Sequence, residues 1–199
     1  MMQSMRLTNS GEKRLRTATR GLLADVNPRG YPPLREAVAA YLGTARGVTV
    51  IDDFAHNADK IGAALATAKL KASRLLAVYQ PHGYGPTRFL RRDFVDTFTR
   101  ELRPEDRLWM LEVFYAGGTA ARDFSAADIV REIAENGAKA EFAPSRPWLA
   151  ARIAGEARPS DLVLVMGARD PTLTDFALAI LAALKNGQSG AESDTETKN

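Results

Sequence analysis

Short apolar runs alternate along this chain with longer stretches in which apolar residues return every third or fourth position. The first pattern predicts buried strands and the second amphipathic helices. Strands are predicted over 48–53, 74–79, 107–113, 140–143 and 161–166. The run at 48–53 is β-branched and apolar, as a parallel strand buried on both faces should be. Between the strands, Asn57 or Asp59 caps a helix reaching Ala72, with Ile61, Leu65, Ala68 and Ala72 inward. Thr87 is predicted to cap a helix to Leu102, whose apolar side holds Phe89, Leu90, Phe94, Val95 and Phe98. Ser125 caps 126–136, a further helix spans 145–155, and Pro171 opens the last one, through Leu184. Trp109, Met110 and Leu111 are expected in the core, and Trp148 is read as a packing anchor. Upstream, 12–26 can form a helix around Leu15, Leu22 and Leu23. Asn27–Pro33 breaks it, and Pro33 starts a second helix to Gly43, with Leu34, Val38, Tyr41 and Leu42 apolar.

Strand–helix alternation with no internal repeat predicts an α/β domain over 48–185. Its fold is a Rossmann-like, doubly wound, mostly parallel sheet of five to six strands. Residues 1–47 form a helical N-terminal extension, and 186–199, rich in Gly, Ser, Thr and Glu, reads as a disordered tail.

Composition narrows the chemistry. The 199 residues contain no cysteine, which removes disulfides and thiolate metal sites, and two histidines are too few for an ordinary zinc centre. No metal ligands are predicted. No apolar stretch approaches the roughly 18 residues of a membrane span, and the start has no apolar signal-peptide core. A cytoplasmic protein without membrane contact is expected. Net charge is +3, and residues 1–48 hold eight Lys/Arg against three acids. Because those cations are interleaved with apolar residues at helical spacing, a solvated helix face explains them better than a nucleic-acid surface.

In a parallel sheet the ligand crevice lies outside the carboxyl ends of the strands. Both histidines fall there, His56 beyond 48–53 and His82 beyond 74–79, and Gly167 and Asp170 follow 161–166. Asp53 at a strand end can accept the hydroxyls of a ribose or fix its own loop. His56 and Asn57 can contact a nucleotide or serve as loop and cap residues. His82 and Arg88 can meet an acidic substrate, since a guanidinium forks onto carboxylate or phosphate; Arg88 can equally pair along its own helix face. Gly167 permits close approach of a ligand, and Asp170 can cap the following helix. Gly117-Gly118 is a flexible loop.

Asp53-Phe54-Ala55-His56-Asn57 resembles the signature that opens the C-terminal domain of the Mur ligase superfamily. Three further segments follow in the family's order. Gln80-Pro81-His82-Gly83-Tyr84-Gly85-Pro86-Thr87-Arg88 is similar to Gln-Pro-His-Arg-Tyr-x-Arg-Thr-Arg of the UDP-N-acetylmuramate–L-alanine ligases and murein-tripeptide ligases. Glu112-Val113-Phe114-Tyr115-Ala116-Gly117-Gly118 resembles their Asp-Val-Tyr-x-Ala-Gly-Glu, and 161–170 their Gly-Asp-Leu-Val-Leu-x-Met-Gly-Ala-Gly-Asp.

The resemblance implies an ADP-forming acid–amino-acid ligase of peptidoglycan metabolism. ATP, with Mg2+, phosphorylates a carboxylate, and an amino acid's amine attacks the acyl phosphate. The C-terminal domain brings in the amino acid and closes over ATP held by a central domain, excluding water. On that pattern Asp53, His56 and Asn57 are nucleotide-binding, and His82, Arg88, Gly167 and Asp170 substrate-binding. Partners implied are central and N-terminal domains, an amino acid and a UDP-muramyl substrate. The chain departs from the pattern at Ala58, where the family has Pro, at Gly83, where it has Arg, and at Arg169, where it has Gly. It also contains no Gly-x-x-x-x-Gly-Lys-(Ser/Thr) phosphate loop. It is therefore expected not to complete the ligase cycle alone, so that no catalytic residue is assigned within it; the competing expectation is a non-catalytic ligand-binding module on the same scaffold. Finally, 27–48 resembles a segment of pyridoxal-phosphate aminotransferases, a fragment too small to imply transaminase activity.

Overall fold

A computed structural model describes residues 42–186. The predicted helices at 12–26 and 33–43, the aminotransferase-like segment and the tail therefore lie largely or wholly outside the described residues. The elements in chain order are β1 (Thr44–Ala45), β2 (Val48–Asp53), α1 (Ala58–Lys69), β3 (Arg74–Gln80), α2 (Tyr84–Glu101), β4 (Arg107–Met110), α3 (Ala126–Glu135), β5 (Ala140–Phe142), α4 (Arg146–Glu156), β6 (Asp161–Gly167) and α5 (Leu173–Asn186).

The six strands form one sheet in the order β1-β2-β6-β3-β4-β5, parallel throughout except for β1. The last strand in sequence, β6, is thus central, and every residue along it is buried. Alternate strand residues feed two cores. Val50, Val78, Trp109, Val163 and Val165 pack against α4 and α5. Leu75, Ala77, Tyr79, Leu108, Leu164 and Met166 pack against α1, α2 and α3 on the opposite face. Each fully buried Leu, Ile, Val or Phe contributes roughly 1.5–3 kcal/mol, so both faces are needed to hold a sheet whose middle strands have no wet side.

Crossover handedness explains the layering. The chain steps from β2 to β3, β4 and β5 in one direction across the sheet and returns from β5 to β6 in the other. Right-handed crossovers then send α1, α2 and α3 to one face and α4 to the other.

The local signals are largely met. Asn57 Oδ1 accepts the Lys60 backbone N–H at 3.0 Å, and Ser125 and Ser145 cap α3 and α4 through their hydroxyls. Several expectations are corrected. Thr87 does not cap α2: the helix starts a turn earlier, behind Gly83 at φ 68, and Thr87 is buried inside it, its hydroxyl donating to His82 O at 3.4 Å. Pro86 misled the reading, because proline is tolerated in a first turn. Phe89 does not face the core but is 85% exposed, since the buried stripe runs through Tyr84, Thr87, Phe94, Val95 and Phe98. Trp148 is no packing anchor either; at 36% exposed it lies outside the inner stripe Leu149, Ala150 and Ile153. The strand predicted over 107–113 ends at Met110, where the sheet gives way to a loop. The last helix begins at Leu173, two residues beyond Pro171.

One strand was missed altogether. β1 joins β2 through the two-residue turn Arg46-Gly47, both at positive φ (54 and 71). That is the backbone of a tight hairpin turn whose twist matches the flanking strands. Arg46 Nη1 donates to Ala154 O at 2.8 Å and pins the hairpin to α4. Among the described residues no helix is long and apolar enough to cross a membrane.

Candidate functional site

The loop after β6 runs to α5, whereas the loops after its neighbours β2 and β3 run to α1 and α2 on the other face. Adjacent loops that part in this way leave a crevice above the sheet. Here β6 has one on each side. The N-termini of α1, α2 and α5 all follow strand ends at this rim, and each brings the partial positive charge of its unpaired N–H groups.

Register fixes what lines the two crevices. Met166 is paired with Asp53 on β2 and with Tyr79 on β3, and Gly167 with Gln80. A Cβ on Gly167 would stand 2.7 Å from Leu173 Cδ2 and 3.0 Å from Gln80 O. Any larger residue would force Leu173 or the Gln80 carbonyl to shift.

On the β2 side, Asp53 Oδ1 accepts the Ala55 N–H at 2.7 Å. Burial, joined by the charge of Asp52, pushes its carboxyl above the ordinary aspartate range despite that bond and nearby Lys60. A carboxylate kept at a cost in desolvation is a functional-site signal. Neighbouring Asp52 instead accepts the Thr174 hydroxyl at 2.6 Å, a strand-to-helix tie. His56 Nδ1 lies 2.8 Å from Phe54 O. That bond fixes the Nδ1–H tautomer of the neutral ring and leaves Nε2 as acceptor. Phe54 itself is 77% exposed.

On the β3 side, His82 meets His56 edge to face, with ring centroids 5.6 Å apart. Its Nδ1 is buried with no hydrogen-bond partner among the described residues. Burial, and then the charges of His56 and Arg169, lower its pKa from the ordinary histidine value. The two strand-end histidines and the Gly167 turn are therefore brought together.

Other predicted residues are differently engaged. Asn57 spends its side-chain oxygen on the α1 cap. Arg88 points to the loop before α3, pairing with Asp123, donating to Ala121 O at 3.1 Å and lying over the Phe124 ring. Asp170 Oδ1 accepts from Thr172 N at 2.9 Å and from its hydroxyl at 2.7 Å, while Oδ2 pairs with Arg146. Against the cost of burial, those bonds hold Asp170 below its ordinary pKa.

Sequence reasoning missed Arg146. Its guanidinium donates to Gln80 Oε1 at 2.8 Å and to Thr172 Oγ1 at 2.7 Å, besides pairing with Asp170. It thereby ties β3, β6 and α5 together at the rim. The signal for it was indirect: Gln80 and Asp170 end strands that become neighbours only once β6 inserts beside β3. Glu112 was also read only as a motif residue. Its carboxylate accepts from Ser125 Oγ at 2.6 Å and Ala126 N at 3.0 Å, at the start of α3. Among the described residues no three His, Asp or Glu side chains converge in a way that could hold a metal.

Residues 39–169 match the family of the Mur ligase glutamate ligase domain. Among similar proteins, a UDP-N-acetylmuramate–L-alanine ligase of Pelotomaculum thermopropionicum is 33% identical over 148 residues, spanning 73% of this chain and 31% of that protein. Another from Agrobacterium fabrum is 34% identical over 146 residues, 72% of this chain and 30% of its own. The chain thus spans about a third of the length of the curated relatives it matches. A murein peptide ligase of Psychrobacter arcticus shares the fold, with a TM-score of 0.56 at 18% identity over 72% of this chain and 29% of that one. By this match, and with its sequence segments gathered on one sheet rim, the chain belongs to the Mur ligase family, through the C-terminal domain of its peptidoglycan ligases.

Proposed function

We propose that this chain is the amino-acid-binding, ATP-closing half of an ADP-forming acid–amino-acid ligase of peptidoglycan metabolism. One observation carries the reading: β6 opens a crevice on either side, with Asp53 and His56 along one and Gln80 and His82 along the other. A joining reaction needs two such neighbouring compartments, one for the nucleotide and one for the incoming amino acid.

In this reading Asp53 accepts the ribose hydroxyls and His56 presents Nε2 to the nucleotide, with the Asn57 amide N–H groups beside it. His82 and Gly167 line the amino-acid side. Asp170 acts through Arg146, which it holds against Gln80, and Arg88 holds the loop before α3 in place. Mg2+ would accompany ATP on the ATP-holding domain, and no step is routed through it. The domain's contribution to chemistry is enclosure: pressed over ATP, the rim shields the acyl phosphate from water until the amine attacks. The phosphate loop comes from a central domain, on this or another polypeptide. Such a protein works in the cytoplasm, where ATP is available.

The test is ADP release with UDP-N-acetylmuramate and L-alanine. The expected result is no turnover by the 199-residue chain alone, and turnover when it replaces the C-terminal domain of a UDP-N-acetylmuramate–L-alanine ligase. Turnover by the chain alone would overturn its incompleteness. A folded hybrid that neither turns over nor binds ATP more tightly than the truncated ligase would overturn the ligase reading.

A further inference from the structure

Arg169 combines three features that do not otherwise go together. It is exposed at the rim, it sits in the left-handed backbone region at φ 72, and its guanidinium has no partner among the described residues. The left-handed region is unfavourable for a non-glycine residue, and strain of this kind collects at ligand sites. Nearly every other arginine among the described residues is committed. Ten of them (74, 88, 91, 92, 100, 103, 107, 131, 146 and 152) pair with carboxylates. Arg46 donates to a carbonyl and Arg122 lies over Tyr115. Arg158 alone shares the freedom of Arg169, but it precedes β6 at the opposite end of the strand.

The natural counter-ion of Arg169 is its neighbour Asp170, and that carboxylate is taken by Arg146 and Thr172. Arg169 follows Gly167 by two residues, as His82 follows Gln80, and Gly167 and Gln80 are register partners. The charges that act on His82 are those of His56 and Arg169, with no carboxylate among them. Three helix N-termini add to the same positive field. The β3 side of the rim thus holds, close to His82, a cation that no carboxylate among the described residues pairs with.

We propose that Arg169 is the anion-recognition residue of this rim, its guanidinium taking a phosphate or carboxylate oxyanion of the ligand that lies across the end of β6. A glycine at this position would spare the strain but leave the oxyanion without a fork to hold it. The assignment rests on the reading of the rim as a ligand site and names the group that discriminates there.

The experiment follows the His56 and His82 ring signals by NMR in the full 199-residue chain at fixed pH. Inorganic phosphate and acetate are titrated separately. The expected result is a saturable shift of both rings, tighter for one probe, which identifies the oxyanion as phosphoryl or carboxyl. Arg169→Gly and Arg169→Gln should both weaken that binding about fivefold or more, and Arg158→Gln should leave it unchanged. Arg169→Gly relieves backbone strain, so its loss cannot be blamed on unfolding. Wild-type affinity in either Arg169 variant would overturn the assignment while leaving the rim a ligand site. An equal loss in Arg158→Gln would reduce the effect to net charge and overturn it too. Absence of any ring shift in the wild-type chain would end both the assignment and the rim reading.

Discussion

The imidazole of His56, beyond β2, stands edge-on to that of His82, beyond β3, with β6 between their strands and 5.6 Å between ring centroids. A second proton in so small a patch is disfavoured, and burial of His82 Nδ1 without a partner disfavours it further.

This has a definite sign in pH. The folded-state pKa of His82 lies below its ordinary 6.5, chiefly through burial. The folded chain therefore binds fewer protons than the unfolded one in that window. The stability His82 contributes is complete above the unfolded value and is lost as pH falls from there through the folded value. Urea midpoints compared at pH 8 and pH 5 should drop more in the wild type than in His82→Gln; parallel drops would refute this origin.

Asp53 has the opposite sign. Its raised pKa means the folded carboxyl holds its proton more tightly than the unfolded one, so stability is lost as pH rises through that value. At neutral pH the charge is a burden. Asp53→Asn keeps an oxygen for the Ala55 N–H and should raise the melting temperature of the chain while weakening ATP binding by the hybrid ligase. A lowered melting temperature would show that the carboxylate is structural.

Gly167→Ala should cost about 1–3 kcal/mol, the usual penalty of overpacking, because its Cβ would meet Leu173 and the Gln80 carbonyl. Chemical denaturation measures it. An unchanged midpoint would mean that the turn after β6 yields freely.

Asp106 is fully buried and accepts the backbone N–H groups of Leu75 and Arg103 as well as the Arg103 guanidinium. Asp106→Ala strands all of these and should cost about 3–5 kcal/mol. This loss, read from the denaturation midpoint, should leave ligand shifts at the rim unchanged in whatever fraction remains folded, since Asp106 lies at the amino end of the strands.

β2, β3 and β6 were legible because each is a largely apolar run stopped by Asp, Gln-Pro-His or Gly, and that logic also put both histidines on one rim. Helix faces were less legible. Counting apolar residues admitted Phe89 to the inner side of α2, whereas only their angular position decides, and Phe89 falls opposite Phe94 and Phe98. β1 escaped because Gly43 and Gly47 also fit as helix stops; two residues carry too little periodicity to argue otherwise. Arg146 and the Arg88–Asp123 pair escaped for another reason. Their partners are distant in sequence and meet only after the sheet is ordered.

The flanks of the sheet are β1, with two residues, and β5, with three. Each of these edge strands is short and offers a passing chain only a few backbone groups of its own to zip onto. The long apolar strand β6 is enclosed by neighbours on both sides. The most apolar segment of the sheet is thus the one a foreign strand can least reach.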